Sequence, residues 1–149
     1  KEVKKWINFR HRLVPYLYHT ACQSHQSGIP MIRPLVMEYP KDPIAKIQNL
    51  SYMLGDALLI SPGFDRDEYE LYLPEGRWQD IESKEVYEGM TFVHIENKAF
   101  ADGGTSLRVF QKEGTSIPLF AQKEVLHVPA QLWKQEDLEF MTFQKKDVD

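Results

Sequence analysis

Residues 28–74 read GIPMIRPLVMEYPKDPIAKIQNLSYMLGDALLISPGFDRDEYELYLP, from Gly28 to Pro74. The run from Pro30 to Val36 is apolar except for Arg33, too continuous for a strand with one wet face. It predicts a strand covered on both sides, as in a parallel sheet. Asp42-Pro43 is a strong helix entrance, because the carboxylate can accept backbone N–H groups two or three residues on and proline lacks a donor there. A second apolar strand is expected from Ala57 to Ser61. An α/β-type segment therefore gives way to a β-type one within this stretch.

Upstream, Val3, Trp6, Ile7, Leu13, Val14, Leu17, Ala21 and Cys22 recur at helical spacing, with Gly28 as a stop. Pro15 removes a backbone donor and crowds the preceding turn, so a kink, or two helices meeting near Val14, is expected. Arg10 falls on the apolar stripe and calls for a buried carboxylate such as Glu38, or for its stem to snorkel. Downstream of Asp56 the period becomes two. Strands are expected at Ala57–Ser61, Glu68–Leu73, Arg77–Ile81, Thr91–Ile95, Leu107–Gln111, Ser116–Phe120, Val125–Val128 and Leu138–Phe143. Turn residues separate them, among them Pro62-Gly63, Pro74-Glu75-Gly76, Glu88-Gly89, Asp102-Gly103-Gly104 and Glu113-Gly114, the punctuation of an antiparallel sandwich or small barrel. The charged tail from Lys145 to Asp149 is expected to fray.

The 149 residues suffice for one domain, or a small domain with an appendage. Eighteen basic and 22 acidic residues leave a net charge of −4 without a basic cluster, so nucleic acid is not an expected partner. No apolar run approaches the ~20 residues that span a bilayer, and membrane association is not expected either. The single cysteine, Cys22, reads as a small buried hydrophobe, which fits a cytoplasmic location. The opening KEVKKW is neither a signal peptide nor an initiator, and predicts a fragment of something longer.

Several short motifs occur in a fixed order: Arg33-Pro34-Leu35, Glu38-Tyr39-Pro40 and Asp42, then Tyr52-Met53-Leu54-Gly55-Asp56 with Leu58-Leu59 and Pro62. Arg10, Arg12-Leu13 and Pro15-Tyr16-Leu17-Tyr18 precede them. Tyr72-Leu73-Pro74, Gly76-Arg77-Trp78, Asp80, Tyr87 with Gly89, and Gly114 with Ile117-Pro118 follow. Together, from Phe9 to Phe120, they resemble the C-terminal part of glycoside hydrolase family 31, with the α-xylosidase branch nearest through Met37 to Pro40 and Tyr52 to Asp56. Departures are Gly63 for the usual valine, Arg108 for proline and Lys112 for arginine.

The resemblance implies a fold that is mainly β with an N-terminal α/β segment, an antiparallel β-sandwich preceded by the last helix and strand of an incomplete (β/α)8 barrel. A complete barrel takes about 250 residues. Residues 1–54 would be the barrel remnant and 55–149 the proximal β-domain. The partners implied are the rest of the parent barrel and, in the parent, an oligosaccharide substrate; a two-faced strand without its neighbours also invites self-association. The rival reading is a free-standing β-sandwich that binds carbohydrate or protein.

Retaining glycosidases use two carboxyl groups about 5–5.5 Å apart. The resemblance places both aspartates upstream of this chain, so no catalytic residue, cofactor or metal ligand is assigned here. Glu38 and Asp42 are the nearest thing to a carboxylate pair, yet Glu38 suits Arg10 or Arg33 and Asp42 suits a cap. His19, Cys22 and His25 lie three apart on one helix without a fourth ligand. Asp65, Asp67, Glu68 and Glu70 lack the glycine and distal glutamate of a calcium loop. Trp78, with Arg77, Asp80, Tyr72 and Tyr87, reads as packing before it reads as a sugar-stacking platform.

Overall fold

The computed structural model describes residues 2–63, 67–96, 107–121 and 130–146. Its helices are α1 (Glu2–Arg12), α2 (Val14–Ser27) and the single-turn α3 (Leu35–Glu38). Its strands are β1 (Ile32–Pro34), β2 (Tyr52–Leu54), β3 (Leu58–Ser61), β4 (Glu68–Leu73), β5 (Arg77–Asp80), β6 (Val86–Glu88), β7 (Thr91–Glu96), β8 (Arg108–Lys112), β9 (Thr115–Phe120) and β10 (Leu138–Phe143). The expected strand at Val125–Val128 and the turn at Asp102-Gly103-Gly104 lie outside the described residues. The chain forms two compact units, one of residues 30–115 with 143–149, the other of residues 1–29 with 116–142.

The larger unit is mainly β and antiparallel. Six strands form one sheet in the order β1-β2-β3-β8-β5-β6, and β4 pairs with β7 in a separate ribbon. The core is built from both, with Met53, Leu59, Trp78 and Phe110 from the sheet and Tyr69, Leu71, Leu73, Val93 and Ile95 from the ribbon. β3 is buried at all four residues, as befits a central strand. β4 alternates before it becomes fully buried toward Leu73, so its early residues keep one face wet.

The Pro30–Val36 reading needs correction. Instead of a long barrel-type strand, the chain makes three residues of edge strand antiparallel to β2, then turns helical at Leu35. Arg33 is the buried residue of β1 while Ile32 and Pro34 face out, the reverse of what hydropathy suggests. The reason is electrostatic: two carboxylates draw the guanidinium inward, and Pro34 cannot donate to a further strand. The free edge that β1 offers at the end of its sheet is three residues long. The helix expected after Asp42 does not propagate; residues 43–47 form turns, though Asp42 Oδ1 accepts the N–H groups of Ile44 (2.9 Å) and Ala45 (3.2 Å) as a cap does.

In the smaller unit the break falls where Pro15 predicts it. Leu13 separates α1 from α2, and Pro15 sits in the first turn of α2, where its missing donor costs nothing. Gly28 ends α2 at φ 74°, donating to Ser24 O. Leu13, Tyr16 and Thr20 form the buried face. Cys22 is exposed, contrary to the buried hydrophobe expected: nine residues beyond Leu13 at about 100° each puts it on the opposite side of the helix. Arg10 is exposed too and needs no buried partner. β9 and β10 pair, and Arg12 joins them by donating to Phe120 O at 2.8 Å while its Nη2 meets Glu139 at 2.5 Å.

Candidate functional site

The family-like motifs of residues 33–80 converge on the larger unit, where two polar knots sit beside its core. Arg33, 4% exposed, donates from Nε to Pro30 O (2.7 Å) and from Nη1 to Glu38 (2.7 Å) and Asp56 (2.6 Å). Burial works against its charge, and the hydrogen bonds it donates to Asp56 and Glu38 outweigh it, so its pKa stays above the ordinary value. Asp56 reaches it from the three-residue β2–β3 turn, made possible by Gly55 at φ 63°. The Leu-Gly-Asp motif is thus a turn that aims a carboxylate at Arg33. Sequence reading found Glu38 as a partner and missed Asp56.

The second knot is Asp42 with Tyr72. The Tyr72 hydroxyl donates to Asp42 Oδ2 at 2.6 Å, across 30 residues of chain. Burial raises the Asp42 carboxyl, but the bonds from Tyr72 and from the Ala45 and Ile44 N–H groups prevail and hold it below its ordinary range. Tyr72 is pushed up to about 12, by burial first and then by the carboxylate. The neutral phenol is the folded form, so this stabilisation is complete below pH ~10 and is lost as the pH rises toward 12, by roughly 2–3 kcal/mol. Urea denaturation at pH 8 and pH 11 checks it: Tyr72→Phe should be about 1 kcal/mol less stable at pH 8 and should lose less than the parent at pH 11. An unchanged alkaline slope in the variant contradicts the assignment.

Glu38 and Asp42 therefore serve different partners, Arg33 and Tyr72 respectively. Trp78 is 0% exposed and its Nε1 donates to Pro74 O at 2.8 Å, so no face is left for a sugar. Asp80 accepts the N–H groups of Glu82 (2.7 Å) and Ser83 (3.1 Å) and pairs with Arg108 (3.2 Å). Tyr87 is half-buried with its hydroxyl on Glu85 (2.6 Å), and its ring meets Phe110 edge-on.

Of the calcium set, Asp65 lies outside the described residues. Glu70 and Glu68 instead face His94 across the β4–β7 ribbon, at 2.8 and 3.7 Å. The Glu70 bond leads in raising the His94 pKa. His19, Cys22 and His25 are all exposed on α2. Among the described residues no group of three or more His, Cys, Asp or Glu is arranged to hold a metal ion, and no helix is long and apolar enough to cross a membrane.

With these motifs placed, comparison with known proteins is direct. The family profile described as "Glycosyl hydrolase family 31 C-terminal domain" matches residues 28–124. The chain belongs to glycoside hydrolase family 31. Its family 31 relatives include neutral alpha-glucosidase AB of Homo sapiens, 35% identical over 120 residues that cover 78% of this chain and 12% of that protein. Alpha-glucosidase 2 of Bacillus thermoamyloliquefaciens is 33% identical over 129 residues, 85% of this chain and 16% of its own. The isomaltosyltransferase of Sporosarcina globispora is 33% identical, over 77% and 10%.

Among solved structures, the cycloalternan-forming enzyme from Listeria monocytogenes, in complex with a pentasaccharide substrate, superposes at a TM-score of 0.76 and 31% identity, over 94% of this chain and 13% of that one. The family 31 dextranase of Flavobacterium johnsoniae, complexed with glucose, gives 0.68 and 30%, over 78% and 14%. The chain thus spans about a sixth or less of the length of these relatives.

Proposed function

We propose that this chain is the C-terminal portion of a retaining α-glycosidase, silent by itself, whose β-domain supports the parent's catalytic barrel. The observation that carries the reading is the match of residues 28–124 to a C-terminal domain, within relatives several times longer. The boundary expected between residues 54 and 55 moves in this reading to about residue 28: α1 and α2, which precede the matched residues, come from the end of the barrel, and β1 and β2 go with the β-domain because they share a sheet with β3. The relatives' names, two alpha-glucosidases and an isomaltosyltransferase, favour an α-glucoside over an α-xyloside as the parent's substrate.

Double displacement needs a carboxylate nucleophile and a second carboxyl group that shuttles a proton. Here the carboxylates of the matched motifs hold Arg33, Tyr72 and backbone N–H groups instead. The purified chain should accordingly release nothing from aryl α-glucosides above the uncatalysed rate. Turnover that survives repurification and disappears in Glu38→Gln overturns the reading.

A further inference from the structure

Glu113, between β8 and β9, receives two donors from distant parts of the larger unit. Its Oε1 accepts from Arg77 Nη1 at 2.8 Å and from the backbone N–H of Lys146 at 2.9 Å. Beside it, the Gly114 N–H donates to Phe143 O at 2.7 Å, and the Arg77 guanidinium lies 5.6 Å from the centroid of the Phe143 ring. Gly114 holds φ 76°, and the aliphatic stem of Lys145 lies 3.6–3.9 Å from where its Cβ would be. Arg77 is itself steadied by Glu88 at 3.2 Å, its partner across β5 and β6. A tail this charged is expected to fray from Lys145 onward, yet the Lys146 backbone is tied down; residues 147–149 lie outside the described ones.

We propose that Glu113 is a clasp: its carboxylate pins the segment Phe143–Lys146 back onto the start of β5, beside the turn between β8 and β9. The bond to Lys146 joins residues 33 apart, so it restrains a long loop, and a carboxylate makes stronger bonds to such donors than a neutral acceptor does. The same donors, Lys146 N–H first and then Arg77, hold the Glu113 carboxyl below its ordinary pKa against the effect of burial. The clasp stands independently of the function proposed for the parent.

Trypsin reads it directly in the intact chain, because Lys145 lies inside the clasped segment and the exposed Lys46 lies elsewhere in the same unit. Followed by mass spectrometry, Glu113→Ala should be cut after Lys145 about tenfold faster than the parent while the rate after Lys46 stays the same. Glu113→Gln keeps an oxygen for the Lys146 N–H but loses the charge facing Arg77, and should fall between the two. It also serves if the alanine variant does not fold, with amide exchange of Lys146 as a second readout. Parent-like cleavage after Lys145 in both variants overturns the clasp. So does equal acceleration at Lys46, which would make Glu113 a contributor to global stability.

Discussion

Gly89→Ala is expected to abolish cooperative folding of the β-domain, or to destabilise it by more than ~4 kcal/mol. A Cβ on Gly89 would drive into the carbonyl oxygens of Pro74 and Gly76 and come within 2.9 Å of the Gly76 nitrogen. All three are backbone atoms, and Gly76 is held by the 2.7 Å bond from the Gly89 N–H. Overpacking a flexible side chain costs about 1–3 kcal/mol because the side chain can move. Here relief would require parting the turn after β4 from the end of β6, and with it the register of β5 against β6. Gly28→Ala is the control: nothing lies within 4 Å of its Cβ, so only the positive φ of 74° is strained, a cost of about 1 kcal/mol. Urea denaturation of both variants decides it. A Gly89→Ala chain unfolding within ~1 kcal/mol of the parent would show that this close approach does not hold in solution.

That contrast indicates what sequence can and cannot tell. Proline and glycine act locally, so Pro15 gave the break at Leu13, Gly28 gave the end of α2, and β4 and β10 fall on the predicted residues. Period-two runs were equally plain wherever one face of a strand is wet. Short strands hid: Tyr52–Leu54 and Val86–Glu88 are three residues each, too brief for alternation to register. Arg33 runs against hydropathy: a continuous apolar run implies burial of its apolar members, whereas Glu38 and Asp56 hold the charged member inside. Tyr72 with Asp42, and Lys146 with Glu113, left no trace in sequence, since each joins residues about 30 apart through turns whose geometry only the folded chain defines. The family motifs were the most legible feature, and three of them have structural work in the fold: a turn at Gly55-Asp56, a carboxylate at Asp42 that accepts two backbone N–H groups, and a core ring at Trp78.

Replacing Trp78 by alanine should lower stability by about 3–5 kcal/mol and the thermal midpoint by about 10 °C or more. The indole is wholly buried in the core that residues of the sheet and of the β4–β7 ribbon, Leu71, Leu73 and Phe110 among them, build together. Its removal loses the transfer free energy of a large ring and leaves a cavity that the pleated strands on either side cannot close. It also strips Pro74 O of its donor, in the turn that Gly89 already crowds. Trp78→Phe separates these effects: it keeps most of the apolar volume and loses the N–H, so about 1–3 kcal/mol is expected. A sugar-stacking role predicts the opposite pattern, a ring at the surface whose truncation spares stability and weakens oligosaccharide binding. Isothermal titration with isomaltose alongside thermal unfolding distinguishes them. An alanine variant with the parent's midpoint and a lost binding signal would move Trp78 from the core to a carbohydrate platform and revive the reading of this chain as a free-standing binding module.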